Sequence, residues 1–315
     1  MLRGGLFACS AGDKVLQGEL LAVDECELFA AQGSQAGLER IVSLVESLVA
    51  KLAAMGKNGR LAGIGVGSTG PLDSQRGMIL SPGTLPGWVD VPVVDWLEQR
   101  FGVPACLEND ADVAALGEYW MGAGRGTNRL YAITVGTGIG TACIINGQIY
   151  RGAGGFHPEG GHMLVDPSGP ACYCGGHGCW ESLASGTAIA ASMRRALEEQ
   201  DTYGGDWAEQ CDGRSVTEAA RRGDPLACRV IERAANAFAQ GVFNILMLFF
   251  PEVIVLSGGV MRSYDLFQPA VSRVLQDASV SIPSGQVRVE LAQLGYYAGL
   301  YGAAYAMNMK ANDIA

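Results

Sequence analysis

Glu159-Gly160-Gly161-His162 and, a little further on, Cys172-Tyr173-Cys174-Gly175-Gly176-His177-Gly178-Cys179-Trp180-Glu181 form the most informative stretch of the chain. Three thiols and an imidazole fall close together there: His162, Cys172, Cys174 and Cys179 are the donor set of a closed, tetrahedral Cys₃His zinc site. The glycines between Cys174 and Cys179 let a short loop fold its ligands toward one point. A filled tetrad leaves no open position, so the ion would be structural rather than catalytic. His177 competes as the nitrogen ligand and ranks below His162, and a cluster of free thiols without metal is the alternative. Two carboxylates, Glu159 and Glu181, flank the loop, where a bound ion would hold both near one place and orient a binding surface.

Working outward toward the amino end, Leu130 to Val135, Thr141 to Ile145 and Gln148 to Tyr150 read as strands, and Asn146-Gly147 between the last two is a strong hairpin signal. Thr134-Val135-Gly136-Thr137-Gly138-Ile139-Gly140 exposes backbone N–H groups and a hydroxyl after an apolar strand, which suits a phosphate oxygen; a plain structural turn reads the same way. Leu107-Glu108-Asn109-Asp110-Ala111-Asp112 joins a strand to a helix. There Asn109 or Asp110 could simply cap the helix, or an Asp fixed by its neighbours could accept a proton from a bound hydroxyl. Helices are expected over Leu38 to Met55, Val94 to Arg100 and Ala111 to Met121, with strands at Pro104 to Leu107 and in Leu61 to Pro71, where a buried strand runs into a glycine-rich loop.

Toward the carboxyl end, helices are expected at Thr187 to Glu199, Pro225 to Phe250, Leu266 to Ala278 and Ala298 to Met307. Strands are expected at Val253 to Leu256 and Val287 to Leu291. The first of these feeds Ser257-Gly258-Gly259, a turn at the carboxyl end of a buried strand, where ligands sit in α/β folds and where a tight turn is also the plain reading. Strands alternating with helices place the chain in the α/β class.

Composition narrows the function. The chain has 315 residues, 49% of them hydrophobic and 17% charged, which is rich enough in apolar side chains to exclude intrinsic disorder. Its 45 glycines follow no three-residue period, which excludes collagen. The net charge of −10 and the lack of a Lys/Arg block argue against nucleic-acid binding. No leader is visible, and the most apolar run, Ile245 to Phe250, stops at Pro251 well short of the ~18 residues a membrane helix needs. Nine cysteines, an odd number, fit reduced thiols or a metal site better than a disulfide framework. Together these features predict a cytoplasmic protein with no membrane or nucleic-acid partner.

The same segments, in this order, resemble the ROK family of sugar kinases, of the bacterial glucokinase and N-acetylmannosamine kinase type. Glu108-Asn109-Asp110-Ala111 resembles its END-A motif, and Glu159-Gly160-Gly161-His162 its E-x-G-H. Cys172 to Glu181 matches C-x-C-G-x-x-G-C-x-E without a break; Gly136 to Gly140 resembles the second phosphate loop and Pro251 to Gly259 the adenosine-side strand and turn. The resemblance implies a two-domain hexokinase/actin-like ATPase (ribonuclease H-like) α/β fold. Its first domain would span 1–110, with the last helix returning to it, and the larger second domain 111–315, with a zinc-binding loop at 157–181.

The resemblance also implies a transferase using ATP and Mg²⁺ to phosphorylate a hexose, glucose first, with N-acetylmannosamine or another hexosamine as the alternative. Asp110 would be the general base, and Asn109, Asp110, Glu159, His162 and Glu181 would bind sugar hydroxyls. Gly136, Thr137, Gly138, Gly140, Gly258 and Gly259 would hold the nucleotide. His162, Cys172, Cys174 and Cys179 would bind structural zinc, and a homodimer is usual in the family. Two further readings are a catalytically weak sugar-binding regulator and a transcription repressor, the latter disfavoured by the acidic charge and by the absence of a helix-turn-helix ahead of Met1. Three features depart from the family pattern. The D-x-G-G-T phosphate loop is not found: Met1 to Phe7 resembles the residues immediately after that motif, with Ala11 to Leu16 as a hairpin turn. Thr84 stands in Ser81 to Trp88 where Asn is common, with Leu85 and Trp88 expected to pack. Tyr296-Tyr297 replaces an acidic or Asn residue on the nucleotide side.

Overall fold

A computed structural model describes residues 1–9, 16–56, 59–199 and 211–313. From the amino end, β1 (Leu2–Cys9) and β2 (Leu16–Cys26) pair antiparallel, Leu2 opposite Cys26 and Leu6 opposite Ala22. The turn expected over Ala11 to Leu16 lies, but for Leu16, outside the described residues. Next come α1 (Ser34–Ala54), β3 (Ile64–Ser68), the short pair β4 (Leu72–Asp73) and β5 (Met78–Ile79), α2 (Val93–Phe101), β6 (Ala105–Asn109) and α3 (Asp110–Met121). β7 (Arg129–Val135) and β8 (Ile139–Ile145) form an antiparallel hairpin. Asn146 and Gly147, at φ 52° and 79°, then turn the chain into β9 (Gln148–Ile149). α4 (Trp180–Ala184), α5 (Gly186–Glu198), α6 (Gly213–Arg221) and α7 (Pro225–Phe249) precede β10 (Val253–Ser257), α8 (Tyr264–Ala278), β11 (Arg288–Leu291) and α9 (Ala298–Asp313).

Contacts divide the chain into two compact units. Unit one is Met1–Gly126, Gly147–His157 and Gln293–Ala315; unit two is Thr127–Asn146 and Pro158–Ala292. The division sought after residue 110 therefore runs inside unit one. β6 passes into α3 with no linker, and α3 is bound to α9 along its length. That packing depends on missing side chains. A Cβ on Gly302 would sit 1.6 Å from the Val113 carbonyl oxygen, one on Gly117 2.1 Å from that of Ala298, and one on Gly65 in β3 1.9 Å from that of Ala303. The start of α3, where Asp110 lies, is thereby fixed against a helix and, through β6, against β3, with Ser68 beside Asn109 in parallel register. α1 buries Leu38, Ile41, Val42 and Leu48 of the apolar stripe that its spacing predicts, and Leu44 besides, whereas Val45 and Leu52 are half-buried and Val49 is exposed.

Unit two is built on the sheet order β11-β10-β7-β8, with β10 parallel to both β11 and β7. A strand flanked in this way is covered on both faces, which is why Val253 to Leu256 is a continuous apolar run and is almost wholly buried. α7 starts at Pro225 with Asp224 accepting the Leu226 and Ala227 amides, and lays Phe238, Val242 and Leu246 into the core.

Several boundaries differ from the expectation. The helix expected at 187–199 is preceded by α4, and Ser185 both separates the two and caps α5 by accepting the Ala188 amide. α6 was not expected, and its Asp212–Ser215 capping box is the start signal that marks it. β8 begins at Ile139 rather than Thr141, so Gly140 lies within a strand, paired with Thr134.

Candidate active site

In unit one, β6 delivers Asn109 and α3 begins at Asp110. Asn109 is the N-cap: its Oδ1 accepts the Ala111 amide at 2.8 Å, and Asp110 Oδ1 accepts the same N–H at 2.8 Å. Asn109 is thus the cap, while Asp110 presents its carboxylate at an exposed position. Loss of hydration among its neighbours pushes the Asp110 carboxyl up; the Ala111 amide and His157 oppose this, and Asp112 adds to it. Around it, Arg151 Nη1 lies 2.9 Å from Asp112 Oδ2 and Nη2 bonds Glu108 Oε2, while His157 Nδ1 lies 3.0 Å from Asp112 Oδ1. Glu108 also accepts from Ser74 Oγ at 3.1 Å and, mainly through burial, is pushed up.

In unit two, the donor atoms of His162, Cys172, Cys174 and Cys179 all lie within 4.8 Å of one another, and His177 is outside the group and exposed. Cys174 Sγ and Cys179 Sγ are 3.5 Å apart and Cys172 Sγ is 3.4 Å from His162 Nδ1. A tetrahedral ion with bonds of about 2.3 Å to sulfur and about 2.0–2.1 Å to nitrogen needs edges of roughly 3.5–3.8 Å, so the donor set fits zinc. The thiols alone are ill-matched: the Gly176 amide holds Cys174 low, while burial and the neighbouring sulfurs push Cys179 up to about 12. A divalent cation resolves that conflict by favouring all three thiolates.

The same loop gathers the carboxylates. Glu159 precedes the single turn ending at His162, whose amide bonds the Glu159 carbonyl at 3.0 Å. Glu181 stands in the first turn of α4, anchored by Trp180, which is fully buried, stacks on Phe238 at 5.4 Å and lies where a Cβ on Gly241 would be. Tyr173 Oη is 3.0 Å from His162 Nε2. The phenol is pushed up to about 12 by burial and by Glu181, with Glu159 contributing, which places these four side chains together.

Glu181 Oε2 also accepts the Ile139 amide at 2.7 Å and lies against Gly138, tying α4 to the glycine turn after β7. Thr137 is exposed on that turn. The parallel register that sets Ser257 beside Thr134 brings the turn after β10 alongside it, Thr134 Oγ1 and Ser257 Oγ being 2.7 Å apart. Gly258, at φ 93°, would carry a Cβ only 2.3 Å from the Val135 carbonyl oxygen, so no other residue fits there. Gly259 has open space where a side chain would be.

The ROK family profile matches residues 17–310. The chain belongs to the ROK family. It is 36% identical over 247 residues to a glucokinase of Thermotoga maritima, covering 76% of this chain and 77% of that protein. It is also 32% identical over 260 residues to a putative xylose repressor of Caldicellulosiruptor sp., covering 82% of this chain and 64% of the repressor. Among solved structures, a ROK hexokinase from Thermus thermophilus superposes with a TM-score of 0.79 at 33% identity over 94% of this chain and 93% of the other. A ROK family glucokinase from Streptomyces griseus in complex with glucose and AMPPNP gives 0.72 at 29% identity over 98% and 96%. The ROK fold is an actin-like ATPase fold of mixed α/β content, and among the described residues no helix is long and apolar enough to cross a membrane.

Within this ROK chain, sequence reasoning passed over Glu108, Asp112, Arg151, His157 and Tyr173. A signal was present: all three histidines fall between 157 and 177, and Glu108, Asp110 and Asp112 alternate at one junction and so require a countercharge. Trp88 is buried against Gly37 and Leu85 packs beside the same core, whereas Thr84 is exposed. Tyr296 donates to Glu25 and accepts from Arg3 through its carbonyl.

Proposed function

We propose that the chain is an ATP-dependent sugar kinase acting on a hexose, with glucose the first candidate and a hexosamine such as N-acetylmannosamine the second. The observation that carries this reading is the gathering of Glu159, His162 and Glu181 around one thiol–imidazole cluster in a chain whose α3 starts with an exposed, upshifted Asp110. Neutral, hydroxyl-rich substrates are told apart by many directional hydrogen bonds, which carboxylates, an amide and an imidazole supply. In the proposed reaction Asp110 takes the proton of the attacking sugar hydroxyl while the sugar oxygen bonds the γ-phosphorus. The bond to the β-phosphate oxygen breaks, ADP departs and Asp110 later returns the proton to solvent. A carboxylate whose proton affinity has been raised is the better base for that step.

Asn109 would bind the sugar through its amide nitrogen while its oxygen caps α3. Gly136, Thr137, Gly138 and Gly140 would receive phosphate oxygens, with Gly258 and Gly259 beside them for the rest of the nucleotide. Mg²⁺ bound with ATP would supply charge neutralisation on the phosphates. Zinc held by His162, Cys172, Cys174 and Cys179 would fix the loop that carries Glu159 and Glu181.

The likeness to a xylose repressor supports a second reading, a sugar-binding regulator without turnover. Coupled ADP release over a panel of hexoses and N-acetylhexosamines, alongside calorimetric sugar binding, separates the two. A kinase releases ADP with at least one sugar, and Asp110→Asn lowers that kcat by about 100-fold or more while the sugar Kd stays within a few-fold. Binding without ADP release from the wild type would overturn the kinase reading in favour of the regulator.

A further inference from the structure

Three carboxylates leave one strand–helix junction at alternate positions, Glu108, Asp110 and Asp112, and the cations around them are shared unequally. Arg151 splits its fork, Nη1 going to Asp112 and Nη2 to Glu108. Asp112 has no exposed side-chain surface, and its second oxygen is closed by His157 Nδ1 at 3.0 Å. Among the described residues Asp110 pairs with no lysine or arginine; it accepts the Ala111 amide, and His157, when protonated, is the neighbour that favours its ionised form. The groups that bear on this junction are Glu108 and Asp112 from its own segment, Arg151 and His157 from the 147–157 segment, the neutral Ser74, and Lys310 of α9, whose charge reaches Glu108.

This division has a chemical consequence. A guanidinium on Asp110 would favour its ionised form and make it a poor proton acceptor. Asp112 is buried beside the same arginine and needs a cation more than Asp110 does, because an uncompensated buried carboxylate is far costlier than an accessible one. Asp112 therefore engages the guanidinium, and its other oxygen orients the His157 ring. We propose that Arg151, Asp112 and His157 are positioning residues for Asp110: Asp112 keeps the arginine off the base, and Asp112 and His157 set, in opposite senses, the pH at which Asp110 loses its proton. The inference rests on the reading of Asp110 as the general base.

The test is a carbon-13 NMR titration of carboxyl-labelled aspartate in the full-length protein, with the Asp110 signal assigned by its loss in Asp110→Asn. Asp112→Asn removes a like charge and releases two cations toward Asp110, so the midpoint falls, by about 0.5–1 pH unit. In His157→Gln the lost imidazole would have been charged where a carboxylate titrates, its ordinary pKa being about 6.5, so the midpoint rises by about the same amount. The acid limb of kcat/KM, measured with glucose and MgATP, moves with each midpoint. A merely structural role would lower thermal stability or kcat and leave the titration in place. If Asp112→Asn does not fold, His157→Gln decides alone. Midpoints that stay put, or that move in the same direction, overturn the proposal. If they move as stated while Asp110→Asn turns over like the wild type, the array stands and the general-base reading fails instead.

Discussion

At the scale of single residues, the candidate zinc ligands and the two carboxylates beside them were legible because each is written in a dense local pattern. Three sulfurs separated by one and four residues, with glycines between, can hardly serve anything but convergence, and the structure shows it. The choice of His162 over His177 follows from where the loop begins. The turn after Glu159 sets His162 Nδ1 against Cys172, while His177 sits on the outside of the bend made by Gly175 at φ 92° and Gly178 at φ 62°. Removal of one ligand should therefore be selective. Cys174→Ala is expected to drop bound zinc from one equivalent to near zero by elemental analysis and to weaken sugar binding by about tenfold or more, because loss of ligands and their supports costs affinity on that scale. His177→Ala is expected to keep both. Full zinc retention in Cys174→Ala, or loss in His177→Ala, would sink the assignment. The alternating acids at 108, 110 and 112 signal the need for a countercharge, but which residues supply it was not legible, since Arg151 and His157 come from a segment 39 and 45 residues away from Asp112.

At the scale of elements, hydrophobic period and end signals were enough for most helices and strands, and they missed the short helices α4 and α6 and the way α3 packs on α9. β10 announces itself as four buried apolar residues, and α7 by its Asp224-Pro225 start. The close seating of α3 on α9 is carried by glycines whose role nothing local betrays. In a plain helical pattern Gly117 and Gly302 count as weak helix formers, yet they allow two backbones to meet at distances no Cβ permits. Gly302→Ala should then destabilise, against its propensity gain. Overpacking at a backbone-to-backbone contact costs about 1–3 kcal/mol or more, while the propensity term returns about 1 kcal/mol. Urea denaturation should show a lower midpoint with an unchanged slope. A midpoint at or above that of the wild type would mean that α3 and α9 sit further apart than described. Because Asp110 opens α3, the same variant is expected to lower kcat more than it raises KM for the sugar.

At the scale of the whole molecule, the α/β class and the family follow from the sequence, whereas the division into units does not, because the chain leaves unit one at Gly126, visits it again over Gly147–His157 and returns at Gln293. No linker composition marks these crossings, which fall in the loops at 126–127, 146–147, 157–158 and 292–293, so only contacts reveal the membership. The division still has a physical signature. All four candidate zinc ligands, with Trp180 and the core it enters, belong to unit two, and the α3–α9 glycine contacts belong to unit one. Local opening free energies differ across a structure and are raised by whatever holds a segment closed, so two perturbations should leave distinct footprints in amide exchange. Chelation by a strong zinc ligand is expected to speed exchange across 159–184, where loop and α4 depend on the metal, and to leave 110–121 and 298–311 as they were. Gly302→Ala is expected to do the converse. Chelation that deprotects α3 and α9 as strongly as the cysteine loop would show that the ion supports the whole chain and not unit two alone, and the structural role given to zinc would have to be redrawn around that wider dependence.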